Sequence, residues 1–180
     1  MHSAVLRKTP LRSGKALRGM RIRPGLRLEP TIAQLDILWR EAVRTRDHWT
    51  CRRCGSQGKT RPVQAAHIFS RAKKVVRWNL VNGLALCAGC HQSFAHRSPT
   101  EFRDWVRFQV LGTDVYDRLS LLAHSRPTRV DRTETMLRLK MELAELHEQT
   151  ELHEQTGGRG SWARAWAGYF WAKGSPGAKR

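Results

Sequence analysis

Cys51-Arg52-Arg53-Cys54 and, after an interval of 32 residues, Cys87-Ala88-Gly89-Cys90-His91 are the two stretches on which the reading of this chain turns. Between them stand Ala66-His67-Ile68 and Asn82. Two Cys-x-x-Cys pairs can bring four thiolates onto one tetrahedral cation such as Zn²⁺ and close its coordination completely. A closed cage is structural, so the spacing predicts a zinc-tied scaffold whose chemistry resides in the His and Asn side chains it holds in place. Disulfides are the other reading of an even cysteine count. The two-residue gaps favour zinc, as does the absence of an export-type apolar stretch in the first thirty residues, and a cytoplasmic protein is expected.

Outward from the cage, Val63 to Phe69 reads as a short strand and Leu80 to Leu86 as a loop entering a second one. A helix opens after Cys90 and carries His91 and Phe94. Upstream, Ile32, Leu35, Leu38, Trp39, Ala42 and Val43 recur at helical spacing, predicting a helix over 31–45 with those residues in the core. Asp47-His48 looks like a carboxylate–imidazole pair, yet it lies in the approach to Cys51 and is read as a turn. Downstream, Ser98-Pro99-Thr100-Glu101 is a helix start, with Ser98 as cap and Pro99 in the first position. Gly112 ends that helix, and another short one is expected over 113–123.

Four segments result. Residues 1–30 hold eight Lys or Arg, one acid and three prolines, a composition that opposes packing and predicts a flexible basic arm. Residues 31–123 form the cysteine-bearing domain with its flanking helices. Residues 124–156 hold a polar helix with Met136, Leu139, Leu143 and Leu146 as a narrow stripe. Within it Glu145 to Thr150 recurs residue for residue as Glu151 to Thr156, a six-residue period that matches no coiled-coil register. Residues 157–180 form a loosely ordered tail whose three tryptophans either dock on the domain or stack on bases.

The formal charge of +18 implies a polyanionic partner and salt-sensitive binding, with nucleic acid as the expected one. No membrane partner is expected, because the apolar runs are too short to span and the basic arm lacks an apolar stripe. Phosphodiester hydrolysis needs an activated water, charge stabilisation on the phosphate, and help for the departing 3′ oxygen. His67 is the candidate base, Asn82 the residue that orients an imidazole, and His91 the candidate ligand of a catalytic divalent cation. Arg71 and Arg77 are candidate phosphate clamps, and Lys73 and Lys74 candidate backbone contacts.

Cys51-x-x-Cys54-Gly55, Ala66-His67-Ile68, Trp78-Asn79-Leu80, Asn82-Gly83-Leu84-Ala85-Leu86-Cys87 and Cys90-His91 together resemble the HNH endonuclease motif in its four-cysteine form. The basic Thr9-Pro10-Leu11-Arg12 arm, the tract His67-Ile68-Phe69-Ser70-Arg71 and the Pro99–Trp105 helix look closest to phage and prophage HNH proteins, including NinG-type recombination endonucleases. The resemblance covers roughly residues 1–120. It implies an α+β fold with a small ββα-metal core, structural Zn²⁺ on Cys51, Cys54, Cys87 and Cys90, and flanking helices. It further implies a metal-dependent DNA endonuclease using Mg²⁺ or another divalent cation, acting in recombination on branched DNA, with phage recombination or packaging proteins as partners. By resemblance His67 is the general base, Asn82 the central Asn, and His91 the final His on the catalytic metal.

One departure matters. Many HNH enzymes carry a second metal ligand just before the first His, where this chain has Ala66. His96 is a candidate replacement, although five residues rather than four separate it from His91, which would offset the two rings on a regular helix. Two rival readings stay open: a non-catalytic zinc module that binds nucleic acid, and an inactive HNH scaffold in a phage assembly.

Overall fold

The computed structural model describes residues 29–58, 62–126 and 129–155. The expected arm, except for its last two residues, and the tryptophan-containing tail lie outside the described residues. The first helix, α1 (Ile32–Arg46), begins in a capping box: the Gln34 backbone N–H donates to the Thr31 hydroxyl and the Thr31 N–H to the Gln34 side chain. Leu35, Trp39, Ala42 and Val43 are buried as their spacing predicts, but Ile32 in the first turn is half exposed.

Strands β1 (Val63–His67) and β2 (Gly83–Cys87) pair antiparallel, with Val63 opposite Cys87 and His67 opposite Gly83. The first strand was expected to continue to Phe69. It ends at His67: one further backbone bond follows the same register, Ile68 N–H to the Asn82 carbonyl at 3.0 Å, and the ladder is broken where the Phe69 N–H turns to the Asn82 side-chain oxygen at 2.7 Å. A 3-10 turn over Leu80–Asn82 leads into β2.

All five residues of β2 are buried, the pattern of a strand covered on both faces. On one face α1 and the long α5 (Arg132–Gln155) gather Leu35, Trp39, Val43, Trp78, Leu80, Leu139 and Leu146. On the other lie α2 (Ala88–Cys90), α3 (Pro99–Trp105) and α4 (Thr113–His124), around Ala66, Leu84, Leu86, Phe94, Phe102, Val106 and Leu119. The α+β class expected from the sequence is what the described residues show, with a two-stranded sheet as its only sheet among them. No described helix is long and apolar enough to cross a membrane.

Two devices join α1 to the hairpin. Gly83 admits the helix at close range, since a Cβ there would lie 2.6 Å from both Trp39 Cζ2 and Val43 Cγ2. At the C-terminal end of α1, Asp47 and Arg46 form an ion pair at 3.0 Å with side chains 0% and 4% exposed. Asp47 accepts the Ala85 N–H at 2.7 Å, while Arg46 donates to the carbonyls of Leu80 at 2.6 Å and Gly83 at 2.7 Å. These bonds of the buried pair fix the entry into β2, which is the condition under which a buried pair holds a fold.

Two helices change pitch midway. The short α2 continues as a π turn over His91–His96, and α3 continues as another over Val106–Val110. A π turn bonds each residue to the one five places on rather than four, so residues five apart share a face.

Candidate active site and metal centre

The Cys51–Cys54 turn packs beside the junction of β2 and α2. There the Sγ atoms of Cys51, Cys54, Cys87 and Cys90 all lie within 4.8 Å of one another. Among the described residues no other group of three or more His, Cys, Asp or Glu converges in this way. The Cys54 and Cys87 sulfurs are 3.8 Å apart, and sulfurs on a tetrahedral Zn²⁺ with bonds of about 2.3 Å would be separated by about 3.8 Å. The residues present therefore fit a closed zinc site with four thiolate ligands.

The local chain is built for it. Gly55 takes φ +72°, a conformation that L side chains rarely adopt, and its N–H returns to the Cys51 carbonyl at 2.9 Å. Hydrogen bonds from the Ser56 side chain and backbone hold the Cys54 thiol down to about 6. Burial, followed by the neighbouring sulfurs, pushes Cys90 up to about 12. Four sulfurs so close are what a shared divalent cation holds together, with release of their protons on binding.

His67, at the end of β1, stacks on Trp39 with ring centroids 3.8 Å apart and planes 16° from parallel. Its Nε2 is 2.9 Å from the Arg77 carbonyl oxygen. A carbonyl only accepts, so Nε2 carries the proton and Nδ1 the lone pair. Burial lowers this imidazole to about 4, against the pull of the Arg77 carbonyl, and the charge on Arg71 lowers it further. The ring is therefore neutral at pH 7.

His91 is set the other way round. Its Nδ1 donates to the Gln64 side-chain oxygen at 2.7 Å, which leaves the lone pair on Nε2. Burial and then the nearby His96 lower its proton affinity. The π turn brings His96 alongside, with ring centroids 4.7 Å apart, so the offset expected for a five-residue spacing does not arise. Ala66 is fully buried among Leu84, Phe94 and their neighbours and contributes nothing to this group.

His67, His91 and His96 line one cleft of about 880 Å³. Its floor includes Gln64 and Ala65 of β1; Arg40 and Arg44 come from α1, Arg71 from the inter-strand loop and Arg103 from α3. Arg71 is thus one of the residues that line the cleft.

Two expected site residues have other partners. Asn82 is fully buried and does not reach His67: its oxygen accepts the Phe69 N–H, and its Nδ2 donates to the carbonyls of Phe69 and Val76, each at 3.0 Å. The expected Asn82–imidazole bond is replaced by the Arg77 carbonyl, because the amide is taken up in closing the 69–76 loop. The Arg77 guanidinium is not a clamp on the cleft either. It forks onto Asp36 of α1, Nε to Oδ1 at 3.1 Å and Nη2 to Oδ2 at 2.7 Å, and Trp78 Nε1 joins them at 2.8 Å. Asp36, although burial opposes its charge, is held below the ordinary carboxylate range by these bonds and charges. Lys73 and Lys74 sit on the same loop, outside the residues that line the cleft.

Sequence reasoning missed Gln64, Trp39, Asp36, Arg40 and Arg103. The spacing of Asp36, Arg40 and Arg44 at successive fourth positions was the one visible signal, a single ridge along α1. Residues 51–98 match the family model described as HNH endonuclease. That span holds both cysteine pairs, the hairpin and the two imidazoles of the π turn, and it stops short of α1 and α3. No curated protein and no solved structure gives a significant match.

Proposed function

We propose that this chain is a metal-dependent HNH endonuclease that hydrolyses DNA phosphodiester bonds. The observation that carries the reading is that His67, His91 and His96, all within the segment that matches the HNH model, line one arginine-bearing cleft. In the proposed step, His67 Nδ1 takes a proton from a water molecule as the water oxygen bonds to phosphorus and the bond to the 3′ oxygen breaks. The proton on Nε2 stays with the Arg77 carbonyl throughout, so the ring accepts charge without turning. His91 through Nε2, and His96 beside it, are the candidate ligands of the catalytic cation, Mg²⁺ or another divalent ion. When bound, such an ion neutralises charge on the phosphate and on the departing oxygen.

Asn82 acts in this reading as a positioning residue. It ties Phe69 to Val76, the residue next to the carbonyl that sets the His67 tautomer. Asp36 does the same from the helix side by holding the Arg77 side chain. Arg71 supplies a guanidinium to the phosphate, and Lys73 and Lys74 meet the backbone beyond the cleft.

The resemblance to phage and prophage recombination endonucleases extends the proposal to branched DNA as substrate, phage recombination or packaging proteins as partners, and the host cytoplasm as the place of action. The test is a panel of labelled plasmid, duplex and branched DNA incubated with Mg²⁺ or Mn²⁺, with His67→Ala as control. Cleavage by the wild type and none by the variant is the expected result. The buried Ala66, which leaves the usual second-ligand position inside the core, favours one alternative: a zinc-stabilised module that binds DNA without cutting it. Binding with no cleavage under any divalent ion would establish that reading instead.

A further inference from the structure

The cleft extends beyond the segment that matches the HNH model, and its outer walls carry two arginines of the same construction. Arg40 on α1 donates from Nε to the Asp36 carbonyl, and Arg103 on α3 donates from Nε to the Pro99 carbonyl, both at 3.1 Å. Each bond runs one helical turn back along its own helix and anchors the base of the guanidinium. Both residues are exposed and line the cleft, and among the described residues no carboxylate pairs with either.

Their neighbours differ. Arg44 is already bonded to Glu41 at 2.7 Å and lies over the Trp49 ring at 4.6 Å. Asp36, the one acid lining the cleft, is neutralised by Arg77. The cleft therefore presents uncompensated guanidinium groups, each anchored at Nε, from two helices that pack on different faces of the hairpin, and the imidazoles line the same cleft.

We propose that Arg40 and Arg103 are the two jaws of a phosphate clamp that seats the nucleic-acid backbone on either side of the bond to be cut. The clamp rests on the endonuclease reading for its substrate, but it is read out by binding alone. A guanidinium fork with Nε anchored offers its terminal N–H groups to phosphate oxygens with little ordering left to do. The charge of the lining and the absence of competing carboxylates suit a polyanion. The partner so defined is the sugar–phosphate backbone, read without regard to base sequence.

The experiment measures fluorescence anisotropy of labelled duplex DNA across a salt series, using the full chain in a His67→Ala background so that no cleavage intervenes. Arg40→Gln and Arg103→Gln are made singly and together. Arg118→Gln on α4, joined by Lys140→Gln on α5 where two charges must be matched, serves as the equal-charge control, both positions lying outside the cleft. Loss of one phosphate contact lowers the slope of log affinity against log salt by about 0.9 on duplex DNA. The double variant is expected to lose about twice that, with the control nearly unchanged, and Arg40→Lys with Arg103→Lys to restore most of the slope. A double variant whose slope matches the control overturns the clamp, as does wild-type protein with no affinity for DNA. Zinc content and far-UV circular dichroism confirm that each variant is folded. Failure of the endonuclease reading appears separately, as wild-type protein that binds with the full slope and never cuts.

Discussion

The thiol cage and the histidine cleft, both built on the β1–β2 hairpin, hold their polar atoms in opposite ways. At the Val63–Cys87 end, four thiols face inward on one another and leave no position for anything but a single cation. In the cleft, which runs from Gln64 beside the cage to His67 at the other end of β1, each placed imidazole has one nitrogen bonded, to the Arg77 carbonyl for His67 and to Gln64 for His91, which leaves the lone pair on the other. The closed cage can give rigidity but no reaction; the open cleft keeps its imidazoles in place because the cage anchors the chain that carries them. His91 follows Cys90 directly, so the cage sets the start of the π turn that carries both His91 and His96.

Breaking the cage has the largest expected effect. Structural Zn²⁺ in small peptides contributes an apparent 10–16 kcal/mol or so, as much as the whole stability of a typical domain, about 5–15 kcal/mol. Cys87→Ser, or treatment with a strong chelator, should therefore unfold the chain, seen as loss of the cooperative thermal transition together with bound zinc. A transition that persists without metal would show that the thiols do not hold the fold. Asp47→Ala removes half of the buried pair that joins α1 to β2 and should cost about 3–5 kcal/mol in urea unfolding, with zinc retained.

In the cleft the order reverses, with activity lost and stability kept. His67→Ala should lower single-turnover cleavage by about 10²–10⁴-fold while zinc content and DNA affinity hold. Unfolding of this variant instead would place His67 among the structural residues. Gln64→Leu removes the acceptor that sets the His91 tautomer, and the dependence of cleavage on divalent ion concentration should shift by about 10–100-fold. Cleavage at saturating metal should then largely recover, which a merely misfolded variant would not do.

The smallest effect concerns pH. Burial takes His67 from the ordinary 6.5 down to about 4, so as pH falls the unfolded chain takes up that proton first. The stability given by the neutral ring is complete above about 6.5 and is lost as pH falls toward 4. A nuclear magnetic resonance titration should show His67 neutral at pH 5.5, and a ring already half protonated near 6.5 would contradict the stacked, buried placement.

The cysteine spacing alone was enough to place the cage, because two-residue gaps leave a thiol pair few geometries, and both pairs do converge. The α1 face was legible from its period, although Ile32 follows the pattern and still meets solvent, since the first turn overhangs the core. His96 shows where such reasoning ends. Five residues from His91, it looked misaligned on an ideal helix, and nothing in the local sequence announces the change of pitch that aligns it. Asn82 shows the converse: its type and place suggested a contact with an imidazole, but its amide is consumed by the loop backbone beside it.

By itself, then, the chain determined what short-range covalent spacing and periodicity can determine: the thiol cage, the strands on either side of it, the helical faces and the basic charge. Only the tertiary structure decided which lone pairs stay free. Tautomers depend on which carbonyl or amide lies against each ring nitrogen. Those partners, Arg77 for His67 and Gln64 for His91, come from positions 10 and 27 residues away. Arg40 and Arg103 likewise line one cleft because helices far apart in sequence pack on a shared hairpin, an arrangement that no local pattern encodes.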